Sequence, residues 1–185
     1  MSEQTFNMIC NGIFNSLTIY CLQVFGNVWG IDTNDENNRR YTSFTKDDCK
    51  KMQILQNKVL RLKTNLAYDT PTTELIKQSG DLSIHQLTAY HTILTVFKTI
   101  KTGKPYYLSK KLELNLPKNE STFPHRQAYS ITVHRNLTIS RGGMMYRGAK
   151  LWNQLPIDLR KIEKLPSFKS GVKKWVMNSI SIKPP

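Results

Sequence analysis

A chain of 185 residues is long enough to bury an ordinary hydrophobic core and fits one large domain or two small units. Its most apolar stretch, residues 6–28, is broken by Asn7, Asn11, Asn15, Ser16, Thr18 and Gln23, which excludes a bilayer span, and Glu3 with no Lys or Arg ahead of it speaks against a secretion signal, so a place inside the cell is expected. The formal charge of +14 is unevenly spread, with +2 on residues 1–65, +2 on residues 66–120 and +10 on residues 121–185, where 12 basic side chains face two acidic ones.

In chain order, Phe6, Ile9, Cys10, Ile13, Phe14, Leu17, Tyr20, Cys21, Val24, Phe25 and Val28 recur at three- and four-residue steps. That spacing predicts the strongest helix of the chain, with an apolar stripe so broad that it must pack on the rest of the protein or on a partner. Residues 30–45, rich in Asn and Asp, read as a loop. Thr45-x-x-Asp48 has the spacing of a capping box and starts the next helix, with Met52, Leu55, Val59 and Leu62 expected on its buried face. Thr70 ahead of Pro71 predicts a capped start, and Gly80 a stop, for a short helix over 71–79. Ser83-x-x-Gln86 opens a longer one over 84–101, which Gly103 ends.

Pro105, Pro117 and Pro124 punctuate a connecting segment over 103–127, with one turn of helix near 106–112. Tyr129, Ile131 and Val133, then Leu137 and Ile139, alternate with polar residues, which predicts a small β-hairpin over 128–141 turning near 134–136. Helix resumes over 146–154, breaks at Pro156, and ends in a helix opened by Ser167 with Phe168, Val172, Trp175, Val176 and Ile180 inside and Lys169, Lys173 and Lys174 outside. The expected architecture is mainly α, an irregular helical bundle with one small hairpin. It divides into a helical region 1–102, a connection 103–127 and a basic hairpin-plus-helix tail 128–185.

The search for chemistry finds little. Asp47-Asp48 is the one pair of adjacent aspartates and has no third carboxylate near it, whereas a polymerase or nuclease gathers carboxylates around two metal ions. His85 and His91, six apart on one helix, do not share a face for a metal. His125 and His134 sit beside Arg126 and Arg135, where contact with phosphate is the better role. Cys10, Cys21 and Cys49 are odd in number and widely spaced, which suggests reduced thiols and neither a disulfide framework nor zinc. The two N-x-S/T matches, at Asn119 and Asn136, are taken as chance. No metal or cofactor is expected.

The positive field of the last third attracts phosphate backbones, whose counterions are released on binding. Residues 140–150 are the best contact stretch, since Gly142 and Gly143 expose backbone amides while Arg141, Arg147 and Lys150 supply charge. The same stretch also reads as a turn that leaves a hairpin and enters a helix. The nucleic-acid-binding set is therefore Arg126, Arg135, Arg141, Arg147, Lys150, Lys169, Lys173 and Lys174, with Arg141 and Arg147 expected to be exposed.

At Tyr146-Arg147-Gly148-Ala149-Lys150-Leu151-Trp152-Asn153-Gln154-Leu155-Pro156, followed by Leu159-Arg160 and Ser167-Phe168-Lys169, the sequence resembles the terminal signature of non-LTR retrotransposon reverse transcriptases. Upstream, residues 20–30 resemble the family's helix ending in Trp-Gly at Trp29. Leu55-Gln56-Asn57-Lys58-Val59-Leu60-Arg61 resembles its L-Q-x-K-x-L-R helix, and residues 82–98 its following long helix. The likeness spans roughly residues 10 to 180. In place of the family's Thr-Arg pair before the hairpin stands Ile131-Thr132-Val133-His134-Arg135.

The family copies RNA into DNA with palm-domain aspartates, and their paired motif is absent from this sequence. The resemblance thus implies the thumb-like helices and tail that follow the palm, a non-catalytic module whose partners are RNA or DNA, contacted through the backbone, and the polymerase core. It casts Trp29, Trp152, Leu155, Pro156 and Phe168 as structural anchors. The alternative is a protein-interaction module that docks through its amphipathic first helix.

Overall fold

The computed structural model describes residues 5, 8, 9, 12, 16–25, 45–115, 128–133 and 144–180. Among them the chain forms α1 (Ser16–Phe25), α2 (Lys46–Thr64), α3 (Thr72–Ser79), α4 (Ile84–Thr102), the single turn α5 (Tyr106–Ser109), α6 (Met144–Gln154), the single turn α7 (Ile157–Arg160) and α8 (Leu165–Ser179). The protein is mainly α, as expected. Trp29 and the predicted turn at 134–136 lie outside the described residues.

Local signals set most helix ends. Thr45 accepts from the Asp48 amide at 3.2 Å while the Asp48 carboxylate accepts from the Thr45 amide at 3.0 Å, and Ser83 with Gln86 repeats the arrangement at α4. Gly80 and Gly103 close α3 and α4 in the left-handed region, at φ of 65° and 66°. Two starts differ from expectation. Pro71 rather than Thr70 is the N-cap of α3, with no side-chain cap, and α8 begins at Leu165 ahead of Ser167, with Pro166 in its first turn. Proline fits there because a first-turn amide has no helical acceptor to lose.

α4 is the centre of the bundle, and α1, α2, α6 and α8 all pack on it. Ala89, Ile93, Val96 and Phe97 of α4 share one hydrophobic cluster with Leu151 and Trp152 of α6 and with Phe168, Val172 and Val176 of α8. The Phe97 and Phe168 rings stack with centroids 4.0 Å apart, and Trp152 lies 5.8 Å from Phe168. A Cβ at Gly148 would meet Val96 Cγ2 at 2.6 Å. Because β-branched Val96 is stiff at χ1 and cannot turn aside, this glycine is what lets α6 lie so close to α4.

The inward faces of α1 and α2 correct the periodicity reading. Among the described side chains of α1, Thr18 and Leu22 are buried, whereas Leu17 and Tyr20 are 65% and 70% exposed. On α2, Cys49, Gln56, Asn57 and Leu60 are buried, whereas Leu55 and Leu62, expected inside, are exposed together with Ile54. The cause is polar pairing. Gln56 donates to the Leu82 carbonyl at 2.8 Å, Asn57 to Thr72 Oγ1 at 2.8 Å, and Gln53 accepts from the Ile84 amide at 2.9 Å. Buried carboxamides with full partners lose little on leaving water and tie α2 to the start of α4.

The β-hairpin predicted over 128–141 is not seen, and no strand occurs among the described residues. Its intended first arm is extended but pairs upstream, through an isolated antiparallel bridge between Leu114 and Ile131. Alternation reports an extended chain with one face inward and is silent about which segment lies alongside. The other edge of Ile131 is taken by a side chain. Asn153 Oδ1 accepts from the Ile131 amide at 2.7 Å and Asn153 Nδ2 donates to the Ile131 carbonyl at 2.9 Å, so one carboxamide does the work of a neighbouring strand.

The same block fixes the residues before it. Trp152 Nε1 donates to the Tyr129 carbonyl at 2.8 Å, and Arg160 donates to the carbonyls of Leu155 and Ala128 at 3.0 and 3.3 Å. Tyr129 sits at φ 58°, a left-handed conformation uncommon for a residue with a side chain, and the indole bond on its carbonyl helps hold it there. Trp152, Leu155 and Phe168 are buried, and Pro156 caps α7 just after α6 has ended. Residues 152–160 are therefore a clamp, with Trp152, Asn153 and Arg160 all holding the backbone of residues 128–131.

Candidate nucleic-acid interface

α8 presents two chemically distinct sides because its apolar residues recur at four-residue steps. Phe168, Val172 and Val176 are buried against the core, whereas Lys169, Lys173 and Lys174 are exposed. Lys173 Nζ reaches across to the carbonyl of Gly80, at the C-terminal end of α3, at 3.0 Å. A cation there is favoured by the negative end of that helix. Only Glu163 and Asp158 offset this charge in the last third of the sequence, and Glu163 lies 3.7 Å from Lys101 of α4.

Lys98, one turn before the end of α4, joins the lysine side of α8 and was not in the expected set. His91 reveals the grouping, for its imidazole is held down to about 4, first by burial and then by the ammonium groups of Lys98 and Lys169. His91 and Lys98 are seven residues apart and so share a helix face, which is the signal that would have found Lys98.

The depressed histidine gives a pH prediction. The unfolded chain binds a proton at His91 from its ordinary value of 6.5 downward and the folded chain only near 4, so stability falls as pH drops through that window. With His91 part-exposed, the loss attributable to it is on the order of 1 to 2 kcal/mol once solvent screening is allowed for. Melting temperatures of the parent and His91→Gln between about pH 7 and pH 4 check this, and the variant should lose less stability on acidification than the parent.

The other expected contacts divide. Arg126, Arg135 and Arg141 lie outside the described residues. Lys150, half-buried on α6, stands 5.6 Å from the centre of the Tyr146 ring. Arg147, expected at the surface, is only 4% exposed, and neither its Nε nor its Nη1 has a hydrogen-bond partner among the described residues. Burial pulls its guanidinium down to about 10. The physical reason is its place on α6, one turn before the fully buried Leu151 and next to Gly148, where the helix lies close against α4. Arg147 thus leaves the surface on which the lysines lie.

An unpaired buried cation is destabilising, and replacing such a group by an apolar one of similar length commonly adds stability. Arg147→Met is therefore expected to raise stability by about 1 to 2 kcal/mol, seen as an upward shift in melting temperature. A fall of similar size would show that the guanidinium has an internal partner.

Among the described residues no group of three or more His, Cys, Asp or Glu is placed to hold a metal ion. Cys49 is a free, buried thiol that burial pushes up to about 11, which makes it a poor nucleophile. No described helix is long and apolar enough to cross a membrane. No family model, curated protein or solved structure matches the chain.

Proposed function

We propose that this chain is a nucleic-acid-binding C-terminal portion of a non-LTR retrotransposon reverse transcriptase, one that contacts template RNA or target DNA and does no chemistry itself. The parent activity in that family is RNA-directed DNA polymerisation. The observation that carries the reading is the charge distribution, with +10 of the +14 in residues 121–185 and Lys169, Lys173 and Lys174 exposed together on α8. The lysines meet phosphate oxygens as point charges and fix position without reading sequence. Arg126, Arg135, Arg141 and Lys150 are assigned to the same contact, and the polymerase core is the proposed protein partner. No cofactor is assigned.

Fluorescence anisotropy with a single-stranded RNA across a salt series tests the reading. Binding should be firm at about 50 mM salt and fall steeply by about 200 mM. Primer extension on an RNA template with magnesium or manganese should give no product, since the one pair of adjacent aspartates, Asp47-Asp48, has no third carboxylate near it in the sequence with which to hold two metal ions. Absence of RNA binding at low salt, or measurable extension, overturns the proposal.

A second reading, docking to a protein through the first helix, draws support from the exposure of Leu17 and Tyr20 on α1 and of Ile54, Leu55 and Leu62 on α2. Large apolar side chains held in water mark an interaction surface where they form one continuous patch. On this reading binding is insensitive to salt, which separates the two.

A further inference from the structure

The segment that follows α4 keeps more aromatic surface in water than a connection needs. Directly after Gly103 ends α4, α5 holds Tyr106 and Tyr107 on a single turn, and both rings are largely in water, at 68% and 66% exposed. Leu112, a few residues on, enters the core and anchors the turn. Neither tyrosine is needed for that anchoring. Leaving two large rings in solvent forgoes the burial that aromatic side chains ordinarily gain.

The charges within the segment itself, from Lys98 to Leu112, are all of one sign, and the first acidic residue after it is the exposed Glu113. Lys104, Lys110 and Lys111 are exposed. Lys110 Nζ lies 4.5 Å from the centre of the Tyr106 ring, a cation–π contact that holds an ammonium group beside an aromatic face. Exposed rings interleaved with lysines are what an unpaired strand requires, because its bases stack on aromatic faces while its phosphates seek cations. A duplex hides its base faces and has no use for the rings. An acidic protein surface would satisfy the lysines and leave the tyrosines without a specific role.

We infer that Tyr106 and Tyr107, with Lys104, Lys110 and Lys111, form a stacking platform for single-stranded nucleic acid. The inference rests on the nucleic-acid-binding function proposed above and adds to it a strand state and a site on the α4–α5 connection. The rings receive bases and the lysines receive the phosphates that flank them. A helical turn splays neighbouring side chains by about 100 degrees, so the two rings serve different bases rather than clasping one.

The test uses the full chain and its double variant Tyr106→Leu/Tyr107→Leu, which keeps apolar bulk but removes both rings. Because both positions are exposed, the variant should melt like the parent, and this is checked first. Binding of a labelled oligouridylate is then compared with binding of a duplex of the same length. The expected result is a loss of at least about tenfold in affinity for the single strand with the duplex unchanged. If the parent binds the oligouridylate and the double variant binds it equally well, the platform is wrong and the wider function stands. An equal loss on both ligands also overturns the platform, because stacking on bases is confined to the open strand. If the parent binds neither ligand, the proposed function fails and the platform fails with it.

Discussion

Trp152→Ala is expected to lower stability by roughly 3 to 5 kcal/mol, the range for removing a fully buried large aromatic. The side chain is 2% exposed, stands against Phe168 in the cluster shared by α4, α6 and α8, and donates its indole proton to the Tyr129 carbonyl at 2.8 Å. Truncation leaves a cavity where three helices meet and orphans a carbonyl on a left-handed residue. For a chain of this size such a loss corresponds to a melting temperature lower by about 10 °C or more. Trp152→Phe keeps a buried ring but lacks the donor and leaves a smaller void, so its loss, lower than that of the alanine variant, combines the missing hydrogen bond, at about 1 kcal/mol, with the cost of that void. Thermal melts by circular dichroism check both. Should Trp152→Ala melt like the parent yet lose RNA binding, the tryptophan is a contact residue and the division between core and binding face is wrong.

The parts of this architecture that were legible in the sequence are those governed by residues a few positions apart. Thr45 with Asp48 and Ser83 with Gln86 form the capping boxes that their spacing announces, and Gly80 and Gly103 end helices in the conformation that glycine tolerates best. The outward lysines of α8 likewise follow from the four-residue recurrence of Phe168, Val172 and Val176.

What escaped depends on partners far along the chain. Gln56 faces inward because the Leu82 carbonyl, 26 residues away, awaits it, and no periodicity rule anticipates a polar inner face with Leu55 and Leu62 turned out. The alternation at Tyr129, Ile131 and Val133 marks an extended segment, but its neighbours are Leu114 and the side chain of Asn153. Arg147 was read from its charge alone, and only the close approach of α6 to α4 at Gly148 shows why it is enclosed. Tyr106 and Tyr107 fell in a segment without periodicity, where exposure is decided by the packing of Leu112 nearby.

The exchange of Lys169, Lys173 and Lys174 together for Gln tests most directly whether the basic end of the chain is a phosphate-binding surface. All three are exposed, and the single hydrogen bond among them that reaches another helix, from Lys173 to the Gly80 carbonyl, lies at the surface, so the fold should be retained. This is a cleaner comparison than cutting the chain near residue 120, which would strip α6 and α8 from α4 and open the shared core. Each phosphate neutralised on a single strand adds about 0.7 to the slope of log affinity against log salt, so the triple variant should show a slope smaller by about 2. At about 0.1 M salt that corresponds to a loss of roughly a hundredfold in affinity for single-stranded RNA. The measurement is the salt dependence of RNA affinity for parent and variant, with melting temperatures taken on the same samples. Equal slopes and equal affinities in two equally stable proteins would contradict the account, because the charge concentrated on α8 would then play no part in holding nucleic acid.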